Sequence, residues 1–353
     1  MSVSGESKPT RRRPATMKDI AKAAGVAQST VSRILNDTPL LVPISPETRE
    51  RVLLAAAELS YRPNPHARGL RGAPTMLLGA IVRDITDPFF AGAIDALSLE
   101  ARQRGYSVVL GHARERADEA LALAAVLEAR QCDAIVIVGD MRNQPRLIGD
   151  LESVHVPVVA VWHGSRHDGF LTVNVDNRHG VEAALDHLTG LGHRRVAFVG
   201  DPVLGDIQER QAAYEEYVGQ GRIETRDGYI QHTRNSPSGG VAAFEALLEL
   251  EEPPTAVAAS TDVLAIGVLH AAFERGFRVP ADFSVVGFDD IPFAATTVPA
   301  LTTVRMPVEE MIRGAVEMVV DETLRDAAGS RDGVRVYQPS LIVRRSTAKL
   351  EPR

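Results

Sequence analysis

The chain has 353 residues, 44% of them apolar, and a formal charge of −7. That length calls for two or three domains with ample core, and no apolar run is long enough to span a bilayer. A single cysteine, Cys132, excludes an internal disulfide framework and fits a reducing compartment.

Residues 1–15 are polar, rich in Ser and Pro, and are expected to be disordered. They lack the apolar stretch of a signal peptide, so the expected location is cytoplasmic. Arg11-Arg12-Arg13 fits a solvated tail as well as it fits phosphate contacts. Two short helices follow within Met17–Asn36. Ile20, Ala21 and Ala24 share one face of the first, and Val31, Ile34 and Leu35 share one face of the second. Thr16 and Asp19 have capping-box spacing, and Gly25 stands where the chain must reverse. The second helix presents Gln28, Ser29, Ser32 and Arg33 without one acidic side chain. Such a face suits the major groove of DNA; an ordinary helical hairpin is the plainer alternative.

Ser45 as cap, Pro46 at the first helical position and Glu47 in the first turn start a third helix. Its expected apolar stripe is Val52, Leu53, Ala56 and Leu59. Tyr61–Gly72 then reads as a linker in which Asn64 and Pro65 begin a helix too short to stand alone. Met1–Gly72 carries twelve Lys/Arg and six Asp/Glu, a net of +6, which leaves −13 on the remainder. A basic head on an acidic body points to a polyanionic partner for the head only.

From Thr75 the texture changes to short apolar runs alternating with amphipathic helices. One series runs through Met76–Val82, Ser107–Gly111, Ala134–Val138 and Val156–Val161. The other runs through Val173, Arg195–Val199, Gly228–Gln231, Ala256–Ala259 and Ser284–Gly287. Such alternation predicts two doubly wound parallel sheets of similar layout, with a ligand cleft beyond the carboxyl ends of the strands. At those ends stand Asp84, Asp87 and Phe89, then Arg210, Asp262 and Asp289. Each has a plain structural alternative: Phe89 and Phe90 as helix packing, Arg210 as a surface ion pair, Asp262 as an N-cap. Of Asp289 and Asp290, one acid is expected in the cleft and the other as a cap. His187 and His193 flank a helix end, where partial positive charge is favourable. Cys132 reads as a buried structural thiol. No phosphate-cradling Gly-rich loop, Gly-x-Ser-x-Gly elbow or His-Glu-x-x-His helix is present, so no enzyme, metal or cofactor is expected.

Over about Thr16–Ser346 the chain resembles the LacI/GalR family of bacterial transcriptional regulators. The resemblance rests on Lys18-Asp19-Ile20-Ala21, Thr30-Val31-Ser32-Arg33, Tyr61-Arg62-Pro63-Asn64 and Ala67-Arg68-Gly69-Leu70 in the head. In the body it rests on Asp84–Phe90, His187–Ala197, Thr261-Asp262, Val279–Asp290 and Pro299–Val304. It implies an all-α helix-turn-helix head at 16–62, a hinge helix at 63–73 and a two-lobed α/β core at 74–346, of the build of periplasmic binding proteins. The lobes are expected at 74–174 with 305–335 and at 175–304, with 347–353 as a tail. It implies a homodimer or tetramer that reads palindromic double-stranded DNA. The DNA contacts it implies are Gln28, Ser29, Thr30, Ser32, Arg33 and Asn36 in the head, and Asn64, His66, Arg68 and Leu70 in the hinge. Leu70 is the wedge that opens a base step. A sugar, sugar derivative or nucleobase effector would lie among Asp84, Asp87, Phe89, Arg210, Asp262 and Asp289. The implied function is repression of carbohydrate or nucleoside genes. A transport-type solute-binding protein of the same build is the rival reading, and it would need an export signal and no DNA head. Ala27, Thr261 and Met306 depart from the family pattern, the last two beside the effector site.

Overall fold

The computed structural model describes residues 15–35, 44–61, 74–141, 151, 154–162, 171–324 and 333–351. Contacts divide the chain into two compact units, Met1–Gly72 and Ala73–Arg353.

The first unit is all helical. Helix α1 (Met17–Ala24) opens on a reciprocal capping box: the Thr16 amide donates to Asp19 Oδ2 at 2.8 Å and the Asp19 amide donates to Thr16 Oγ1 at 3.3 Å. It closes on Gly25 at φ 65°, a left-handed conformation that costs a residue with a Cβ about 1 kcal/mol. In helix α2 (Gln28–Leu35) the first turn bonds to the Ala27 carbonyl, which accepts from the amides of Thr30 and Val31. Ser45 caps helix α3 (Pro46–Glu58). Ile20, Ala21, Ala24, Val31, Ile34, Val52 and Ala55 form the shared core. The stripe of α3 is therefore Val52, Ala55 and Ala56; Leu53 and Leu59, expected inside, are exposed. Val52 and Ala55 lie three residues apart on one face, and Leu53, turned about 100° from Val52, is exposed.

The second unit holds two six-stranded sheets. The first contains β1 (Leu77–Val82), β2 (Ser107–His112), β3 (Ala134–Val138), β4 (Val158–Val161), β5 (Leu171–Val175) and β11 (Val334–Tyr337). Their order is β11-β5-β4-β3-β1-β2, all parallel. The second contains β6 (Val196–Gly200), β7 (Ile230–His232), β8 (Ala256–Ala259), β9 (Ser284–Asp289), β10 (Thr302–Arg305) and β12 (Ser340–Ile342), in the order β12-β10-β9-β8-β6-β7. Only β12 is antiparallel. Strand side chains alternate between two covered faces. Leu78, Ala80 and Val82 of β1 pack with Phe90 and Leu97 of α4 (Pro88–Gln103), whereas Ile81 packs with Ala120, Ala124 and Leu127 of α5 (Ala117–Ala129). In the second sheet α6 (Asn177–Gly190) and α7 (Gly205–Gly219) pack together, as do α8 (Pro237–Leu248) and α9 (Asp262–Glu274).

The chain crosses between the lobes three times: after β5, after β10 and between β11 and β12. The strand inventory read from apolar runs stops at Gly287, yet β10, α10 (Val308–Leu324), β11 and β12 follow. Residues past 346, expected as a tail, are bonded along the second lobe. The Ala348 amide donates to Ser284 Oγ at 3.1 Å and the Leu350 amide to the Leu191 carbonyl at 2.8 Å.

His187 and His193 hold that segment, through Thr347 Oγ1 at 2.9 Å and the Ala348 carbonyl at 3.1 Å. Burial depresses the pKa of both, so they are held neutral, and not charged as a helix-end role would require. Cys132 is buried, and burial pushes its thiol up to about 11, an inert structural thiol. Among the described residues no helix is long and apolar enough to cross a membrane.

Candidate functional site

In the head, the core packing of Val31 and Ile34 dictates what α2 shows outward. Gln28, Ser29 and Arg33 are exposed, and Thr30 and Ser32 are half-buried beside them. Four donors or acceptors and a cation thus lie close together on the outward side of α2 with no acid to repel a phosphate. Asn36, Asn64, His66, Arg68 and Leu70 lie outside the described residues.

In the body, the strand ends converge on an inter-lobe cleft. Arg210, on α7, is 1% exposed. Its Nε donates to Asn177 Oδ1 at 2.8 Å, and Nη1 to the Ser260 carbonyl at 2.5 Å and to Asp289 Oδ1 at 3.3 Å. Nη2 approaches the Met306 sulfur at 3.6 Å and Asp206 Oδ2 at 3.7 Å. The guanidinium plane lies 3.7 Å over the Phe288 ring. Arg210 is therefore a buried hub, not a surface pair. Facing it from the first lobe, Arg83 lies 3.6 Å from Asp87 and 3.9 Å from Asp206. The lobes also meet where Asp140 Oδ2 accepts from the Gly205 amide at the start of α7, and where Asn235 Nδ2 donates to Asp87 Oδ2 at 3.2 Å.

Three of these carboxyls resist ionisation. Burial raises Asp289 well above its ordinary value despite Arg210, and raises Asp87 despite Arg83. Burial, with Asp206 second, takes Asp140 to about 7. Among the described residues, Arg83 Nε, Asp206 Oδ1 and Ser260 Oγ are buried and make no hydrogen bond.

Phe89 and Phe90 divide the two roles open to them. Phe90 is core, whereas half-buried Phe89 packs against both lobes and stacks edge-on with Trp162 at 5.0 Å. Asp84 serves its own loop: burial works against its charge, but the Thr86 amide and hydroxyl and His112 hold it below the usual range. Asp262 is fully buried, with Oδ1 taken by Thr303 Oγ1 at 2.5 Å and Oδ2 by the Ile291 amide at 2.9 Å. The cap of α9 is Thr261, not Asp262. Asp290 pairs with Arg305 and Arg344, both at 2.6 Å, and caps nothing.

Sequence reasoning missed Arg83, Asp140, Asp206 and Asn177. Asp140 follows β3 as Asp84 follows β1, and Asp206 lies one turn before Arg210, so both carried a positional signal.

Residues 16–64 match the model of the lacI family of bacterial regulatory proteins, and 185–347 match the periplasmic binding protein-like domain. The HTH-type transcriptional regulator GalS of Salmonella typhimurium is 32% identical over 339 residues, 94% of this chain and 96% of that one. The chain belongs to the lacI family. It is a DNA-binding transcriptional regulator with a periplasmic-binding-protein-like body. The repressor PurR of Pectobacterium atrosepticum, another relative of this lacI-family chain, is 31% identical over 95% of this chain and 97% of its own. Among solved structures, the Lac repressor dimer bound to operator and the anti-inducer ONPF superposes with a TM-score of 0.85 at 26% identity, covering 95% of this chain and all of that one. The CelR–cellobiose complex gives 0.70 at 29% identity, over 95% of this chain and 100% of that chain.

Proposed function

We propose that this protein is a cytoplasmic, non-enzymatic homodimeric repressor of carbohydrate or nucleoside genes, released or engaged by a small effector. The carrying observation is the acid-free face of α2, with Gln28, Ser29 and Arg33 exposed above buried Val31 and Ile34. In this reading Gln28, Ser29 and Arg33 read base edges, and Thr30 and Ser32 reach phosphates. The hinge residues Asn64, His66, Arg68 and Leu70 enter the minor groove. Asp87, Phe89, Arg210 and Asp289 face the effector, while Asp84 and Asp262 shape the loops that hold them. The homodimer is supported by exposed Phe273, Phe293 and Val298 on one lobe, large apolar groups that a lone subunit leaves wet. Effector binding would couple to DNA affinity by about 1–3 kcal/mol.

The test is selection of duplexes from a random pool by the full chain, then titration of the winner with and without sugars and nucleosides. Enrichment of a palindrome bound in a salt-sensitive manner supports the reading. Enrichment of nothing above background would refute it.

A further inference from the structure

The described part of the α/β unit begins at residue 74, immediately after the linker placed at 63–73, and its first residues are gripped by one side chain. Asp133 Oδ1 accepts from the Thr75 amide at 2.8 Å and from the Thr75 hydroxyl at 2.9 Å, and Oδ2 accepts from the Met76 amide at 2.8 Å. The Thr75 hydroxyl also lies 2.6 Å from the Gln131 carbonyl, and Thr75 is buried. Gln131 and Asp133 both stand in the turn between α5 and β3.

Two left-handed residues shape this joint, Met76 at φ 61° and Gln131 at φ 60°. Neither is a glycine, so each resists that conformation and keeps it only where its neighbours impose it. At Met76 the neighbours are Asp133, on the amide, and the Ser107 amide, which donates to the Met76 carbonyl at 2.9 Å. The main-chain ladder reaches back only to that carbonyl. The Asp133 side chain carries the fastening back to the Thr75 amide, the last step before the linker. A fixed stem sends the linker out of the body in one direction. A loose stem must instead be ordered when DNA binds, and each freed residue then costs affinity. A linker helix that short cannot make up the loss from its own helicity.

We propose that Asp133 is a positioning residue for operator binding: through Thr75 and Met76 it fixes where and in which direction the linker leaves the first lobe, and so makes the posture of that lobe felt at the DNA. The inference rests on the hinge reading above. Sequence-independent affinity, which comes from cations on phosphates, does not draw on this joint.

The experiment titrates the full chain and its variants, by fluorescence anisotropy, against the palindromic duplex selected by the wild type and against a random duplex of equal length. It also reads amide hydrogen exchange over residues 75–82 and 134–138. In Asp133→Ala the palindrome should weaken at least tenfold and the random duplex less than twofold. Exchange should quicken at Thr75 and Met76 and stay unchanged in the rest of β1 and in β3. Asp133→Asn, which turns an amide donor toward one of the two backbone amides, should fall between the wild type and Asp133→Ala. Thr75→Val, which loses the hydroxyl, should weaken the palindrome a few-fold, and Thr75→Ser, which restores it, should recover the wild-type affinity. Unchanged palindrome affinity in Asp133→Ala overturns the inference. So does an equal loss on both duplexes with exchange quickened throughout β1 and β3, the mark of a merely structural role. If Asp133→Ala does not fold, the Thr75 pair decides, and equal palindrome affinity in Thr75→Val and Thr75→Ser overturns the inference. A wild type that prefers no palindrome refutes the hinge reading itself, whereas a preference kept by every variant refutes the joint alone.

Discussion

Asp262 stands where an effector contact was expected, and its geometry predicts something different. Its carboxyl is 0% exposed, accepts from Thr303 Oγ1 and the Ile291 amide, and is pushed by burial to about 7. A carboxyl whose folded pKa is raised stabilises the fold fully below its unfolded value, near 3.8, and loses that contribution as pH rises through the folded value. With a loss of 1.36 kcal/mol per pKa unit, linkage gives about 2 kcal/mol forfeited by pH 5 and about 4 by pH 8, hence roughly 2–3 across that window. Asp262→Asn is the isostere of the protonated form. Its amide nitrogen meets the Thr303 hydroxyl, its oxygen keeps the Ile291 amide, and it does not titrate. Urea unfolding of both proteins from pH 5 to pH 8 should therefore show the variant gaining on the wild type by about 2–3 kcal/mol. Asp140 titrates in both proteins, and the Asp262 charge also acts on Asp289, so the difference reports Asp262 together with its effect on Asp289. The variant should keep its effector response, because neither oxygen is free to meet a ligand. Parallel pH profiles, or a lost response, would refute the reasoning.

Arg33→Ala should weaken the selected operator by about 1–3 kcal/mol and leave random DNA nearly unchanged; an equal loss on both, by fluorescence titration, reduces Arg33 to a phosphate contact. Arg210→Met should abolish effector binding and cost about 3–5 kcal/mol in chemical denaturation, because Asp289 and Asp206 are left buried without their cation. Gly240→Ala should cost at least about 3 kcal/mol and lower the melting temperature of the α/β unit, since an added Cβ would meet the Leu264 carbonyl at 2.2 Å and the Gly267 Cα at 2.9 Å, neither of which can yield. Gly25→Ala should cost only about 1 kcal/mol, because nothing lies within 4 Å of its Cβ and the left-handed φ alone resists it.

The head was legible because its signals are local. Capping spacing at Thr16–Asp19, a reversal at Gly25 and Pro46 behind Ser45 each act within one turn, and each is realised. The sheets were legible for a related reason. A buried parallel strand is a continuous apolar run, so β1, β3, β6 and β8 announce themselves. β10, β11 and β12 do not. Thr302–Arg305 has Val304 as its single apolar residue, Val334–Tyr337 is an edge strand with exposed side chains, and Ser340–Ile342 has three residues. Each is a strand because a neighbour supplies its partners, which no local window records. The same holds for the 347–350 segment, whose bonds are to Ser284 and Leu191 far back in the chain.

The cleft was legible as positions and illegible as a network. Strand-end logic finds Asp87 and Asp289 and, applied evenly, finds Asp140. It cannot find what those residues are worth, because that depends on who faces whom. Arg210 joins Asn177, 33 positions back, to Asp289, 79 positions on. Arg83 reaches Asp206 only when the two sheets face each other. Burial then turns a list of charges into a set of constraints: a buried guanidinium must saturate its donors inside its own lobe, and a buried carboxyl left over must find a proton or a cation. In this chain Arg210 spends Nε and Nη1 on Asn177, Ser260 and Asp289, and Asp206 lies 3.7 Å from Arg210 and 3.9 Å from Arg83. Differential stabilisation of one inter-lobe arrangement is what any effector must supply to shift the head.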